Sequence, residues 1–332
     1  MTLLVKQAGP LVSLQDAGRP GGLGLGLSRG GAVDRQGYLA ACALADASLG
    51  AAAIEMAGFG GRFEFETPSR FALAGATMRA TLDGAPLLWN AVHLAEPGAV
   101  LDIGAAEQGV YGYLLPGGGV MTEPELGGRG FHRIAGLGRP IHSGDRLPIG
   151  PSHDESPMKL NDVPAPSGPI RVMPGPQSAL FDEKVKQRFA ATVFTRSAKA
   201  NRQGARLEQD GAPFSAGSQL QQVSDFISEG DIQMTGDGTP YVLLADCQTM
   251  GGYPRIGTVI PADVPRIAQA LPGENMRFAF ITEGEAASLW QSDEARLMQL
   301  KGRLQPLVRD PREMSDLLSY NLISKPVGLD GG

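Results

Sequence analysis

Two stretches of this sequence crowd polar side chains among glycines more densely than a simple turn requires. The first is Leu14-Gln15-Asp16-Ala17-Gly18-Arg19-Pro20-Gly21, followed by Gly30-Gly31-Ala32-Val33-Asp34. The second runs from Leu243 to Ile256 and reads LLADCQTMGGYPRI. There an apolar strand delivers Asp246, Gln248 and Thr249 at its end. Gly251-Gly252 allows close backbone approach, and Tyr253 and Arg255 follow. A carboxylate, an amide, a phenol and a guanidinium so close together can orient a small amide or carboxylate. Arginine pairs with the acid group, the amide holds a carbonyl, and the aspartate accepts a proton. The same residues equally fit a hydrogen-bonded turn that closes a barrel, and side-chain chemistry alone does not separate the two.

Other motifs point away from chemistry. Gly26-Leu27-Ser28-Arg29-Gly30 matches the G-x-S-x-G nucleophile elbow, yet Gly21, Gly22, Gly24 and Gly26 stand where that elbow needs a buried strand. Ser28 is therefore expected in a turn. Pro157-Met158-Lys159-Leu160 has the Met-Lys order of a biotin attachment site, but its prolines suit a linker rather than a hairpin, so no biotinylated lysine is expected. His93, His132, His142 and His153 show no metal-ligand spacing. No Walker or dinucleotide glycine motif occurs, so the chain is expected to lack a nucleotide loop of its own. Cys247 follows Asp246, whose charge raises rather than lowers a thiol pKa, and a core or turn thiol is expected there.

The elements that must position these residues are mainly strands. The 332 residues include 46 Gly and 25 Pro without a G-X-Y period, and 42% are hydrophobic, which is enough for a core in about two domains. A net charge of −6 without a basic run argues against nucleic acid. No apolar run is long enough to span a membrane, no leader pattern opens the chain, and two distant cysteines set up no disulfide framework, so cytoplasm is the default. Five prolines between 151 and 169 mark a linker between a first unit, 1–150, and a second, 170–285, with a helical tail over 286–332. The two units open alike, Leu4–Pro10 against Ile170–Pro176, and Gly144–Leu147 resembles Gly273–Met276.

In the first unit Asp34 caps a predicted helix reaching Gly50, and strands are predicted at 62–66, 70–73, 80–82, 100–103 and 110–115. In the second, strands are predicted at 232–234, 241–245, 258–260 and 276–282, with a short helix over 262–271. The tail is predicted helical over 283–304, packing Leu297, Leu300, Leu304 and Leu307 on the barrel, with a further helix from Pro311 to about Leu322. Many short strands and few helices indicate barrels rather than a doubly wound sheet.

The Gln-Asp-x-Gly-Arg-x-Gly opening, the Gly-Ala-x-Asp helix start, Ala-Ile-Glu at 53–55 and Asp-x-Gln-Thr-x-Gly-Gly-Tyr-Pro-x-Ile at 246–256 resemble the biotin-dependent carboxyltransferase family, also called allophanate hydrolase subunit 2-like. The resemblance extends from about Gly9 to Glu285. Asn201-Arg202-x-Gly204-x-Arg206-Leu207 is similar to the family's Asp-Arg-Met-Gly-Tyr-Arg-Leu, with Asn, Gln and Ala as replacements. The glycines at 22 and 24 and the run Gly127-Gly128-Arg129-Gly130-Phe131 depart from the family pattern, which has Gly-Ser-Arg-Ser-Thr at the latter.

The resemblance implies two cyclophilin-like β-barrel subdomains with a site in the groove between them. A free-standing chain of this size is most similar to the C-type component of ATP-dependent 5-oxoprolinase, which opens 5-oxoproline to glutamate with A- and B-type components, ATP being required by the complex. On that resemblance Arg19, Arg202 or Arg255 binds the substrate carboxylate or a phosphorylated intermediate. Gln15 and Gln248 bond the lactam, Asp34, Thr249 and Tyr253 line the site, and Asp246 or Asp16 handles a proton. The alternatives are a carboxyltransferase acting on urea or a related amide with biotin carried by another protein, and a regulatory protein that binds a B-type partner without turnover.

Overall fold

The structure is a computed structural model that describes residues 1–152, 157–161, 163, 166–214 and 224–308. In the first half, Thr2–Ala8 buries Leu3 and Val5 and pairs antiparallel with Phe59–Phe65 on one side and Arg146–Pro148 on the other. Phe59–Phe65 pairs in turn with Val100–Pro116, which also receives Ala53–Ala57. Single bridges from Ile149 to Val120 and from Val120 to Ala52 return the pairing to Ala53–Ala57, so the sheet is a nearly closed barrel. The second half closes more directly. Its sheet begins on Asn275–Met276 and ends on Phe278–Phe280, so one run of chain supplies both edges. The molecule is mainly β with a few helices, as the turn-rich sequence predicts.

Several predicted boundaries move, each for a local reason. The helix capped by Asp34 is α1 (Arg35–Leu44), not a helix to Gly50. Asp46 adopts a left-handed φ of 47° and the Ala47 N–H bonds back to the Cys42 carbonyl, a Schellman-type stop built without glycine. The predicted strands at 70–73 and 80–82 are one strand, Ser69–Leu82, bent by register shifts after Gly75. Those at 100–103 and 110–115 are likewise one strand, Val100–Pro116. A helix without a sequence prediction, α2 (Glu183–Ala191), seats Phe189, and α3 (Val264–Gln269) is shorter than predicted.

The tail is two helices rather than one. The first, α4 (Glu283–Leu289), has a capping box between Thr282 and Glu285, and α5 (Asp293–Lys301) starts afresh where Ser292 caps the Ala295 N–H. In the proline-rich linker, Met158–Lys159 pairs with Gln305–Pro306 and Ala91, stitching linker and tail onto the first sheet. The helix predicted from Pro311, like His153, lies outside the described residues.

α1 is buried on every side, between the strand Ser69–Leu82 and α5. Gly37 makes that approach possible, because a Cβ there would stand 2.7 Å from Gly75 Cα. One apolar cluster fills the first barrel around Leu3, Phe63, Phe65 and Leu101. A second runs unbroken from α1 and Tyr113 into the other half, through Phe189, Phe194 and Phe278. Each fully buried phenylalanine contributes roughly 1.5–3 kcal/mol. The two halves therefore share a core, and that sharing fixes the geometry between them.

Candidate functional site

The predicted stretches meet between the halves. The Gly30 N–H donates to the Ala245 carbonyl at 3.0 Å, joining the end of the first stretch to the start of the second. Arg202 lies at the centre. Asn201 closes a tight turn on Gly204, and the Asp246 N–H bonds the Arg202 carbonyl, so the two side chains leave neighbouring backbone. Arg202 grips Asp246 with a fork, Nε to Oδ2 at 2.7 Å and Nη2 to Oδ1 at 2.8 Å. Its Nη2 also donates to the Gly31 carbonyl at 2.7 Å, and its Nη1 bonds Glu55 of the first half. Burial alone would lower its pKa, but Glu55 and Asp246 outweigh that and hold the guanidinium above the ordinary arginine range.

From Glu55 the network continues inward. Its second oxygen accepts from the Val33 N–H at 2.9 Å and from the Tyr113 hydroxyl at 2.8 Å. Tyr113 is held well above the usual phenol range, first by burial and then by Glu55 and Asp34, so it remains a donor. Its oxygen accepts the Asp34 N–H at 2.9 Å. The Asp34 carboxylate caps the Gly37 N–H at 3.0 Å and accepts from Gln269 Nε2 at 2.6 Å; burial pushes it up to about 6. Gln269 belongs to α3 and also bonds both N–H groups of Val110 and Tyr111. The chain of bonds thus leaves the second half at Arg202 and re-enters it at Gln269.

The other predicted residues have different occupations. Asp16 accepts the Gly18 N–H at 2.8 Å and the Arg129 N–H at 2.6 Å. Arg19 donates to the carbonyls of Glu125, Gly128 and Gly130, and Gln15 donates to Ser13 and to the Phe131 carbonyl. These three residues hold the 125–131 loop. Gln15 Oε1 and Arg19 Nη1 are buried without a partner among the described residues. Arg255 is occupied inside its own barrel by Asp225, Asp231, Gln177 and the Phe226 carbonyl. Gln248 and Tyr253 are exposed, whereas Thr249 is buried and faces Gly26 across the join. The Cys247 thiol is pushed up to about 12 by burial, with Glu229, Asp231 and Asp246 adding to it. The geometry thus brings Asp34, Arg202, Asp246 and Thr249 to the junction and leaves Arg255 apart from the Arg202 network.

Residues 25–280 match the carboxyltransferase domain, subdomains A and B. The chain belongs to that family. The C-type component of the 5-oxoprolinase of Escherichia coli K12 is 32% identical over 309 residues, which cover 91% of this chain and 98% of that protein. Its counterpart from Haemophilus influenzae is 29% identical over 299 residues, 87% of this chain and 94% of that one. The crystal structure of the K. lactis urea amidolyase superposes with a TM-score of 0.81 over 93% of this chain and 21% of its own, at 22% identity, which is likeness of fold.

In this carboxyltransferase-family chain several residues of the junction carry no role predicted from sequence. Glu55 had a signal, an acid within the otherwise apolar and buried strand Ala53–Ala57. Tyr113, Gln269 and Glu229 had none, since each is an ordinary polar residue whose place depends on the tertiary join. Ser28 Oγ lies 2.8 Å from His132 Nε2, and the Ala135 N–H approaches His132 Nδ1 at 3.3 Å. That arrangement puts the ring proton on Nε2, so His132 donates to Ser28 and ties its loop rather than activating a nucleophile. Among the described residues no cluster of His, Cys, Asp or Glu is arranged to hold a metal, and no helix is long and apolar enough to cross a membrane.

Proposed function

We propose that this carboxyltransferase-family chain is the C-type component of an ATP-dependent 5-oxoprolinase, acting in the cytoplasm with A- and B-type subunits to open 5-oxoproline to glutamate. The observation that carries the reading is similarity across the whole of the relative: the chain is 32% and 29% identical to two 5-oxoprolinase C-type components over 98% and 94% of their length, against 26% and 24% to the matched parts of two yeast urea amidolyases. The junction chemistry supports it. A planar lactam bearing a carboxylate needs fixed donors and a proton carrier, supplied without reorganisation. Arg202 uses four of its five N–H groups on Asp246, Glu55 and Gly31, leaving one Nη1–H for a substrate oxygen. The start of α1 is already filled by the Asp34 carboxylate, which repels phosphate, so ATP is assigned to the partner subunits.

Co-expression with A- and B-type subunits tests the reading by glutamate formation and phosphate release that both require 5-oxoproline and all three chains. Absence of turnover in the assembled complex refutes it. Asp246→Asn in that complex lowers turnover if Asp246 serves the proton chemistry, and unchanged turnover removes that role. The carboxyltransferase reading is favoured by the family match itself, and it predicts activity that avidin abolishes.

A further inference from the structure

A cavity of about 400 Å³ opens where the first half, the second half and α5 meet, walled by Val33, Arg35, Glu229, Val264, Trp290 and Arg296 among others. Arg29 and Arg35 in this wall are already matched, because both bond Oδ2 of Asp293 at the start of α5. Two charged groups are not. Arg296 is half-buried and its side chain makes no hydrogen bond among the described residues; burial lowers its pKa, Asp293 opposes that, and Arg35 adds to it. Glu229 is also half-buried and also makes no hydrogen bond among the described residues. Burial pushes its carboxyl up to about 7, against Arg35 and Arg202 and with the help of Asp246 and Asp293; Cys247 also lies within its field. A partly desolvated cation and a carboxyl able to gain or lose a proton near neutrality thus share one chamber with apolar walls.

We propose that this cavity binds a small carboxylate that also carries an amide N–H, with Arg296 taking the carboxylate and Glu229 exchanging the proton of the amide nitrogen. The assignment rests on the 5-oxoprolinase reading and names the groups that receive its substrate. As the ring opens, the C–N bond breaks, its electron pair stays on nitrogen, and the protonated Glu229 carboxyl delivers the proton that completes the amine. Water supplies the new carboxylate oxygen and its proton restores Glu229. ATP, split with its own water to ADP and phosphate on a partner chain, drives the step.

The test uses the full chain and then the three-component complex. The sequence has two tryptophans, and Trp290 at the cavity rim is 63% exposed, so its fluorescence follows binding. The probes are 5-oxoproline and N-acetylglycine, which both carry a carboxylate and an amide N–H. Arg296→Gln weakens both by at least about tenfold. Glu229→Gln, whose side-chain oxygen still accepts the N–H, keeps affinity within about threefold. It loses the fall in affinity between pH 6 and 8 that ionisation of Glu229, a second negative charge beside the bound carboxylate, gives the parent. In the complex, Glu229→Gln lowers kcat about 100-fold or more with little change in KM. If the parent complex turns over 5-oxoproline while both variants bind and react like the parent, the cavity proposal fails and the 5-oxoprolinase reading stands. A parent complex without turnover sinks that reading. Failure of the parent chain to bind either probe overturns the cavity proposal.

Discussion

Arg202→Met removes the only cation that hydrogen-bonds both Glu55 and Asp246 among the described residues, in a place where their side chains are 2% and 4% exposed. Deleting one partner of a buried ion pair costs about 3–5 kcal/mol, because the remaining charge stays desolvated. Here two carboxylates and the Gly31 carbonyl lose their donor, so about 4 kcal/mol is expected at pH 8. For a chain of 332 residues that corresponds to a fall in Tm of roughly 6 °C. The loss depends on pH in a defined direction. In the variant, two uncompensated carboxylates bind protons more tightly folded than unfolded, so stability is recovered as pH falls and lost as pH rises. Urea denaturation at pH 5 and pH 8 measures both effects, and Glu55→Gln in the Arg202→Met background should recover more than 1 kcal/mol at pH 8. A loss below 1 kcal/mol, or an equal loss at both pH values, would refute the view that Arg202 holds the halves together through buried charge.

Four further variants have outcomes set by the same structure. Asp34→Ala removes the cap of α1 and an acceptor of Gln269, and should cost about 1–2 kcal/mol at pH 5. Because the folded carboxyl titrates near 6, its ionisation withdraws stability as pH rises, so the penalty shrinks by pH 8; a penalty that grows with pH contradicts this. Gly31→Ala places a Cβ 2.5 Å from the Gly18 nitrogen at a φ of +77°, and should cost at least about 2 kcal/mol in denaturation. Gly24→Ala, with nothing within 4 Å, should stay within about 0.5 kcal/mol. Glu229→Gln should be more stable than the parent by roughly 1–2 kcal/mol at pH 8 and equal to it near pH 4, since the raised carboxyl loses stability on ionising. Parallel melting curves of parent and variant across that range refute it.

Much of the fold was legible because strand and turn signals are local. Gly144 and Gly273, paired in the sequence by a short likeness, both take positive φ and both lead into a barrel strand. Boundaries were less legible where a residue took an unusual conformation without being glycine, as Asp46 does at the end of α1. Long strands read as two pieces because their bulges interrupt the period-two pattern, as after Gly75. At the site, motif position identified Arg202 and Asp246 but not their relation. A carboxylate and a guanidinium in separate motifs gave no sign that they would form a fork with each other. Nor could the sequence reveal that Arg255, at the end of its motif's polar run, is saturated by Asp225 and Asp231. Partner choice is a tertiary property, decided by which loops the shared core brings together.

The same electrostatics is the reason the proposal places the proton chemistry on Glu229 rather than on Asp246. Asp246 has both oxygens engaged by one guanidinium, and taking a proton there would break the fork that joins the two barrels. Glu55 is likewise engaged on both oxygens. Two carboxylates already share a single arginine, so a third charge beside them is not neutralised by that centre. Asp246 therefore adds to the burial that raises Glu229, and Asp293, itself bonded by Arg29 and Arg35, does the same from α5. Arg35 and Arg202 keep the value from rising further. The network that fastens the halves thus engages both oxygens of each of its own carboxylates, while Asp246 helps burial to raise their neighbour. Structural rigidity and proton exchange are assigned to different acids, and the tail helix contributes charge to the second as well as covering the cavity.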